Sequence, residues 1–142
     1  MNEHVKIVSK MNGKVITVSQ GQKQTKPGCL IMEGYTGSPN QHWEVVFVGQ
    51  HFGIKSLADP KKYVDVPGES QRVYEKLIAY EFNGNKNQKW FLHPQGQQCY
   101  KIQSVLNNLV MEVEGGIDAD GVGIVQNKDY GNTSQLWRFD KI

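Results

Sequence analysis

The chain has 142 residues, of which 38% are hydrophobic and 21% are charged. This length fits one domain over residues 1–142, and the composition excludes a multidomain enzyme, a coiled coil, a disordered chain and a transmembrane protein. A net charge of +2 is too small to indicate nucleic-acid binding, so we expect neither a nucleic-acid partner nor membrane insertion.

The first 15 residues, MNEHVKIVSKMNGKV, are polar where a secretory signal needs an apolar core. We therefore expect a cytoplasmic protein, with release by a leaderless route as the alternative. The two cysteines, Cys29 and Cys99, form no metal-binding pattern. We expect two reduced thiols, and a single long-range disulfide is the alternative.

A repeated tryptophan pattern divides the chain into three. Each of the three tryptophans stands two positions after a glutamine, in the triplets 41–43, 88–90 and 135–137. Neighbouring triplets are 47 positions apart in both cases. A fixed period of this size predicts repeated supersecondary units, over residues 1–49, 50–97 and 98–142.

The same elements follow one another in each repeat. A strand around an isoleucine comes first, at Ile7, Ile54 and Ile102. A short alternating strand follows after a turn, at 15–18, 63–66 and 110–113. A third apolar run, a polar turn and the Gln-x-Trp strand complete the repeat. The pattern predicts about twelve short strands and essentially no helix.

One repeat of about 47 residues cannot bury its own apolar face. Three repeats can close around a pseudo-threefold axis, which removes open sheet edges. A propeller or a solenoid fits three near-equal units less well. The residues expected to meet at the centre are those that match between repeats: Ile7, Val18, Trp43, Ile54, Val66, Trp90, Ile102, Val113 and Trp137.

The three Gln-x-Trp triplets resemble those of the ricin B-type lectin family, and the resemblance covers residues 5–139. It implies an all-β fold, a β-trefoil with three pseudo-threefold repeats. It also implies that the glutamines and tryptophans are mainly architectural. The residues assigned to this structural core are Gln41, Trp43, Trp90, Gln135 and Trp137.

The family's sugar pocket combines an Asp in the early strand, an aromatic platform in the third strand, and an Asn followed by the Gln of the triplet. By this resemblance the second repeat has all four parts, in Asp65, Tyr80, Asn87 and Gln88. The other two repeats are incomplete. The matching positions hold Thr17, Glu33, Asn40 and Gln41 in the first repeat, and Glu112, Asn127, Ser134 and Gln135 in the third. Tyr35 and Tyr130, further along the same hairpins, are alternative platforms.

These four residue types suit a pyranose. Tyr80 would cover the C–H face of the ring, and Asp65 would accept hydrogen bonds from two adjacent hydroxyls. Asn87 would donate to a hydroxyl oxygen, and Gln88 would brace either the loop or Asp65 from behind. The resemblance implies galactose or N-acetylgalactosamine. From the size of one sugar ring we expect a dissociation constant near about 1 mM, with tens of micromolar as the tighter alternative. Each residue also has a structural alternative: a turn for Asp65, strand packing for Tyr80 and loop hydrogen bonding for Asn87.

No sequence pattern indicates catalysis, a cofactor or a metal. The four histidines are scattered, and the glycine-rich stretch 114–123 departs from calcium-loop spacing, so we expect a long hairpin turn there. We expect a non-enzymatic lectin for galactose- or N-acetylgalactosamine-containing glycans and glycoproteins, as a monomer or weak homodimer. The alternative is a protein-binding β-trefoil without sugar binding, either a protease inhibitor or a cytoskeleton-associated factor.

Overall fold

The computed structural model describes residues 3–142, so Met1 and Asn2, with which the first predicted repeat begins, lie outside it. The described residues form twelve β-strands: β1 (His4–Ser9), β2 (Val15–Val18), β3 (Leu30–Glu33), β4 (Trp43–Val48), β5 (His51–Ser56), β6 (Lys62–Asp65), β7 (Ile78–Glu81), β8 (Trp90–Pro94), β9 (Cys99–Ser104), β10 (Val110–Val113), β11 (Ile124–Asn127) and β12 (Trp137–Lys141). Helical structure in this part of the chain is limited to 3₁₀ turns of three residues. No helix there is long and apolar enough to cross a membrane. The predicted all-β fold is confirmed.

Six strands form a closed antiparallel barrel: β1, β4, β5, β8, β9 and β12. The first and last strands close it, with Val5 opposite Lys141 and Ser9 opposite Trp137. Because every barrel strand has a neighbour on both sides, the barrel has no open edge.

The other six strands form three hairpins, β2–β3, β6–β7 and β10–β11, which cover one end of the barrel. Isolated β-bridges join each hairpin region to the other two, at Cys29–Ile78, Ile31–Gly123 and Lys76–Val125. The three repeats therefore surround a central axis, and the predicted β-trefoil is confirmed.

The three tryptophans lie fully buried in the core, where large apolar side chains contribute most to stability. Each indole N–H also donates to a carbonyl of the second strand in its own repeat: Ile16 at 3.1 Å, Val64 at 3.4 Å and Met111 at 3.1 Å. Among the predicted central residues Val18 differs, because it ends β2 beside a turn and is only partly buried against the core.

The three glutamines of the triplets are buried and perform the same task. Each amide oxygen accepts from a backbone N–H of the preceding loop, and each amide nitrogen donates to a carbonyl at the end of the third strand. The N–H donors are Thr36, Asn83 and Tyr130, and the accepting carbonyls are those of Gly34, Glu81 and Lys128. The repeated Gln thus satisfies backbone groups that would otherwise be buried without partners.

The glycine-rich stretch 114–123 begins with a 3₁₀ turn and connects β10 to β11. Two of its acidic side chains contact the first repeat, where Asp118 accepts from Asn12 at 3.1 Å and Asp120 pairs with Lys14 at 2.8 Å. In the described residues no cluster of His, Cys, Asp or Glu could hold a metal ion. Cys29 and Cys99 are free thiols.

Candidate functional site

The four predicted site residues of the second repeat lie together. Asp65 ends β6, Tyr80 lies in β7, and Asn87 and Gln88 lie in the 3₁₀ turn before β8. Asp65, Tyr80 and Asn87 line a cavity of about 440 Å³, here called the second-repeat cavity, whose other walls include Pro67, Glu69 and Ile78. Gln88 lies behind Asp65 and does not line the cavity.

The Asp65 carboxylate is held by two side-chain amides. Its side chain is buried, with the residue 2% exposed. Asn87 Nδ2 donates to Asp65 Oδ2 at 3.1 Å, and Gln88 Nε2 donates to the same oxygen at 2.8 Å. Because both amides bind Oδ2, they fix the carboxylate and leave Oδ1 unengaged by either amide. An acceptor oriented in advance in this way loses little entropy when a hydroxyl binds it.

The environment of Asp65 disfavours its charged form. Burial raises the pKa of the Asp65 carboxyl above its ordinary value, the hydrogen bond from Gln88 lowers it, and the nearby negative charge of Glu69 raises it. The net effect is a raised pKa. A buried carboxylate of this kind gains from additional hydrogen-bond donors.

Asn87 departs in one respect from its predicted role. Its Nδ2 also donates to the carbonyl of Val66 at 3.2 Å, so both amide hydrogens have acceptors within the protein. Its Oδ1 is buried and has no hydrogen-bond partner among the described residues. An unpaired buried acceptor costs about 1–3 kcal/mol. The one hydrogen-bonding atom of Asn87 that lacks a partner is therefore an acceptor closed off from solvent, and this could not be read from the sequence.

Tyr80 is the exposed member of the group, at 56% exposure, and its ring forms part of the cavity wall. Large apolar surfaces left open next to buried polar groups are typical of ligand sites. The second-repeat cavity therefore joins one aromatic surface to a fixed carboxylate.

The first repeat lacks such a site. Thr17 takes the place of the carboxylate, and Gln41 Nε2 lies 3.3 Å from its hydroxyl. In the alternative platform Tyr35, both the ring and the hydroxyl already contact other side chains. The Lys6 ammonium lies 4.2 Å from the ring centroid, and the hydroxyl is 2.8 Å from His42 Nε2.

The third repeat, incomplete by sequence, also holds its carboxylate with two side-chain amides. Glu112 Oε1 accepts from Asn127 Nδ2 at 3.0 Å and from Gln135 Nε2 at 2.9 Å. Asn127 on β11 thus replaces the loop asparagine as the second amide donor. Tyr130, the other alternative platform, lines a cavity of about 320 Å³ here, the third-repeat cavity. The sequence feature that indicates this arrangement is Asn127, an amide side chain at the position where the family has an aromatic ring.

Comparisons with known proteins agree with this architecture. The sequence matches the family model described as "Ricin-type beta-trefoil lectin domain-like" over residues 1–80, 39–127 and 86–142. A comparison with curated proteins finds no match.

Among solved structures, the designed threefold-symmetric protein ThreeFoil has a TM-score of 0.90 and 26% identity, covering 98% of this chain and 99% of its own. An exo-beta-1,3-galactanase from Clostridium thermocellum has a TM-score of 0.90 and 30% identity over 99% of this chain. The match covers only 30% of the galactanase chain. The ricin B-like lectin of Macrolepiota procera, solved in complex with lactose, has a TM-score of 0.83 and 19% identity, over 99% of this chain and 96% of its own.

Proposed function

Because the chain belongs to the family of ricin-type β-trefoil lectin domains, we propose that it binds glycans ending in galactose or N-acetylgalactosamine through the second-repeat cavity. The observation that supports this most directly is the buried Asp65 carboxylate, fixed by two amides beside the exposed Tyr80 ring.

Each part of a pyranose has a counterpart in the cavity. The Tyr80 ring covers the apolar C–H face and removes it from water. Asp65 Oδ1 accepts from a sugar hydroxyl, and this bond is stronger than a neutral one because the acceptor is charged. Asn87 Nδ2 holds the Asp65 carboxylate in place from within the protein. Gln88 keeps Asp65 in place and does not touch the sugar.

The preference for galactose-type sugars rests on shape. An axial hydroxyl next to an equatorial one presents two donors on one edge and leaves the opposite C–H face flat for an aromatic ring. The exo-beta-1,3-galactanase, whose matching part is 30% of its chain and is 30% identical to this one, acts by its name on a polymer of galactose, which supports the same sugar class. We propose a binding domain without catalytic activity, metal or cofactor, in a monomer or weak homodimer.

Galactose–agarose chromatography tests the proposal. The expected dissociation constant is about 1 mM, so the chain should be retarded and should elute with free galactose. Glucose, which differs in the orientation of one hydroxyl, should elute it only at higher concentration. Passage without retardation would contradict sugar binding, and equal elution by both sugars would contradict the galactose preference.

The raised pKa of Asp65 predicts how binding depends on pH. The carboxylate is the acceptor, so affinity should be full above this pKa and should fall as the carboxyl is protonated. We expect the midpoint of the loss above 3.8, the ordinary value for Asp. Titrating galactose affinity downward from about pH 7 checks this.

Protonation of Asp65 does not unfold the protein, so unfolding caused by this residue cannot explain the loss of galactose affinity at low pH. A carboxyl whose pKa is raised in the folded state binds protons more readily there than in the unfolded chain. Its contribution to the free energy of unfolding therefore increases as pH falls from the raised pKa toward 3.8. Circular dichroism should remain unchanged through the binding midpoint. A binding midpoint at or below 3.8, or one that coincides with unfolding, would contradict the prediction.

A further inference from the structure

A second cavity of about 660 Å³ adjoins the second-repeat cavity, and Pro67, Ile78 and Tyr80 belong to the walls of both. It lies where the turn before β3 in the first repeat meets the loop before β7 in the second. We name it the basic groove after four of its lining residues, Lys26, Lys62, Arg72 and Lys76.

The basic groove concentrates positive charge in a chain whose net charge is only +2. Glu75 is the one acidic side chain in its lining among the described residues. In the second-repeat cavity the charged lining residues are the acids Asp65 and Glu69. The two adjoining cavities therefore have opposite electrostatic character, one suited to hydroxyl donors and one suited to an anion.

The cations of the basic groove are weakly paired. Lys76 lies 3.4 Å from Glu114, Lys62 lies 3.9 Å from Asp59, and Arg72 lies 4.0 Å from Glu75. The pairs Lys14–Asp120 and Lys101–Asp129, elsewhere on the surface, are at 2.8 Å.

Lys26 forms no ion pair with any residue that the structure describes. The Arg72 side chain is 82% exposed. Exposed pairs at such distances contribute little to stability, so these cations can exchange a protein partner for a ligand anion at little cost.

We propose that the basic groove binds the anionic group of an acidic glycan, a sulfate ester or a sugar carboxylate, linked to the galactose-type sugar in the second-repeat cavity. This rests on the proposed function and specifies its ligand class. Tyr80 lies between the two sites, so a sugar on its ring has the groove within reach of its neighbouring substituents. Arg72 offers a planar pair of donors to either anion, and the lysines add point charges.

Four ligands test the proposal against lactose: lactose carrying a sulfate at O3 or at O6 of its galactose, and lactose carrying sialic acid at the same two positions. At low salt, about 20 mM, at least one acidic ligand should bind about tenfold more tightly than lactose. A gain confined to the sulfated ligands identifies a sulfate ester as the anion, and a gain confined to the sialylated ligands identifies a carboxylate. The gain should shrink at about 500 mM salt, where exposed charges are screened.

A double variant tests whether the tighter binding of the acidic ligands arises in the basic groove. Lys26→Ala combined with Arg72→Ala should remove the gain for acidic ligands and leave lactose affinity unchanged. The matched control combines Lys10→Ala with Lys128→Ala, two exposed lysines outside the groove lining that remove the same charge. The control should keep the gain.

The outcomes separate this inference from the proposed function. If lactose binds and none of the acidic ligands binds more tightly, the inference is wrong and the proposed function stands. If the control variant loses as much as the groove variant, general charge attraction explains the gain and the inference is wrong. If neither lactose nor any acidic ligand binds, the proposed function itself fails. If Asp65→Asn leaves the affinity for acidic ligands unchanged, the groove acts without the sugar cavity and the proposed link between them is wrong.

Discussion

An Asp65→Asn chain is expected to lose its retention on immobilised galactose while it keeps the native fold. The substitution preserves size and removes the charge of the carboxylate that Asn87 and Gln88 hold. Loss of a charge-assisted hydrogen bond costs about 1.5–3 kcal/mol, which lowers affinity about 10- to 100-fold. A site that begins near 1 mM then shows no measurable binding.

The fold should tolerate this change because burial already disfavours the charge of Asp65. An asparagine at this position keeps one oxygen that the two amides can share. We expect the free energy of unfolding to change by about 1 kcal/mol or less, measured by urea denaturation. A chain that unfolds outright would show instead that Asp65 serves the turn before Pro67.

Glu112→Gln is the matched control. Glu112 is also buried and also accepts from two amides, but it lines the third-repeat cavity. This variant should bind galactose as the native chain does. If Glu112→Gln loses binding and Asp65→Asn keeps it, the sugar occupies the third repeat and the site proposed here is wrong.

Repetition explains why the fold could be predicted from the sequence. Trp43, Trp90 and Trp137 recur at one period, and the structure gives each the same hydrogen bond to the second strand of its repeat. Sequence units that repeat with a fixed period fold into equivalent structural units related by a rotation. The threefold arrangement therefore follows from the period without knowledge of individual long-range contacts. The grouping of Asp65 with Gln88 follows from the same rule, because both positions recur in every repeat.

Contacts between unlike positions could not be predicted in this way. In the third repeat the amide that donates to Glu112 is Asn127 on a strand, where the second repeat uses an asparagine of a loop. No equivalent residue in another repeat indicates this pairing. The cation over the Tyr35 ring comes from Lys6 on β1, and no repeated position pairs a lysine with this tyrosine. The basic groove likewise combines Lys26 of one repeat with Arg72 of the next.

Trp43→Ala is expected to destabilise the domain by about 3–5 kcal/mol. The side chain is fully buried, so its removal leaves a large cavity, and the carbonyl of Ile16 loses its indole donor. For a domain whose total stability is about 5–15 kcal/mol, this is a large share. Denaturant titration should show a lower midpoint with a similar slope.

Phe47→Ala supplies the comparison for this measurement. Phe47 lies on the same strand β4, but it is 71% exposed, and its ring stacks on that of Phe52 with 4.8 Å between ring centroids. Its loss should cost about 1 kcal/mol. Because Trp43 belongs to the first repeat, the folded fraction of Trp43→Ala should still bind galactose. Equal costs at the two positions would mean that the tryptophans do not form the core, and the threefold packing would then need another explanation.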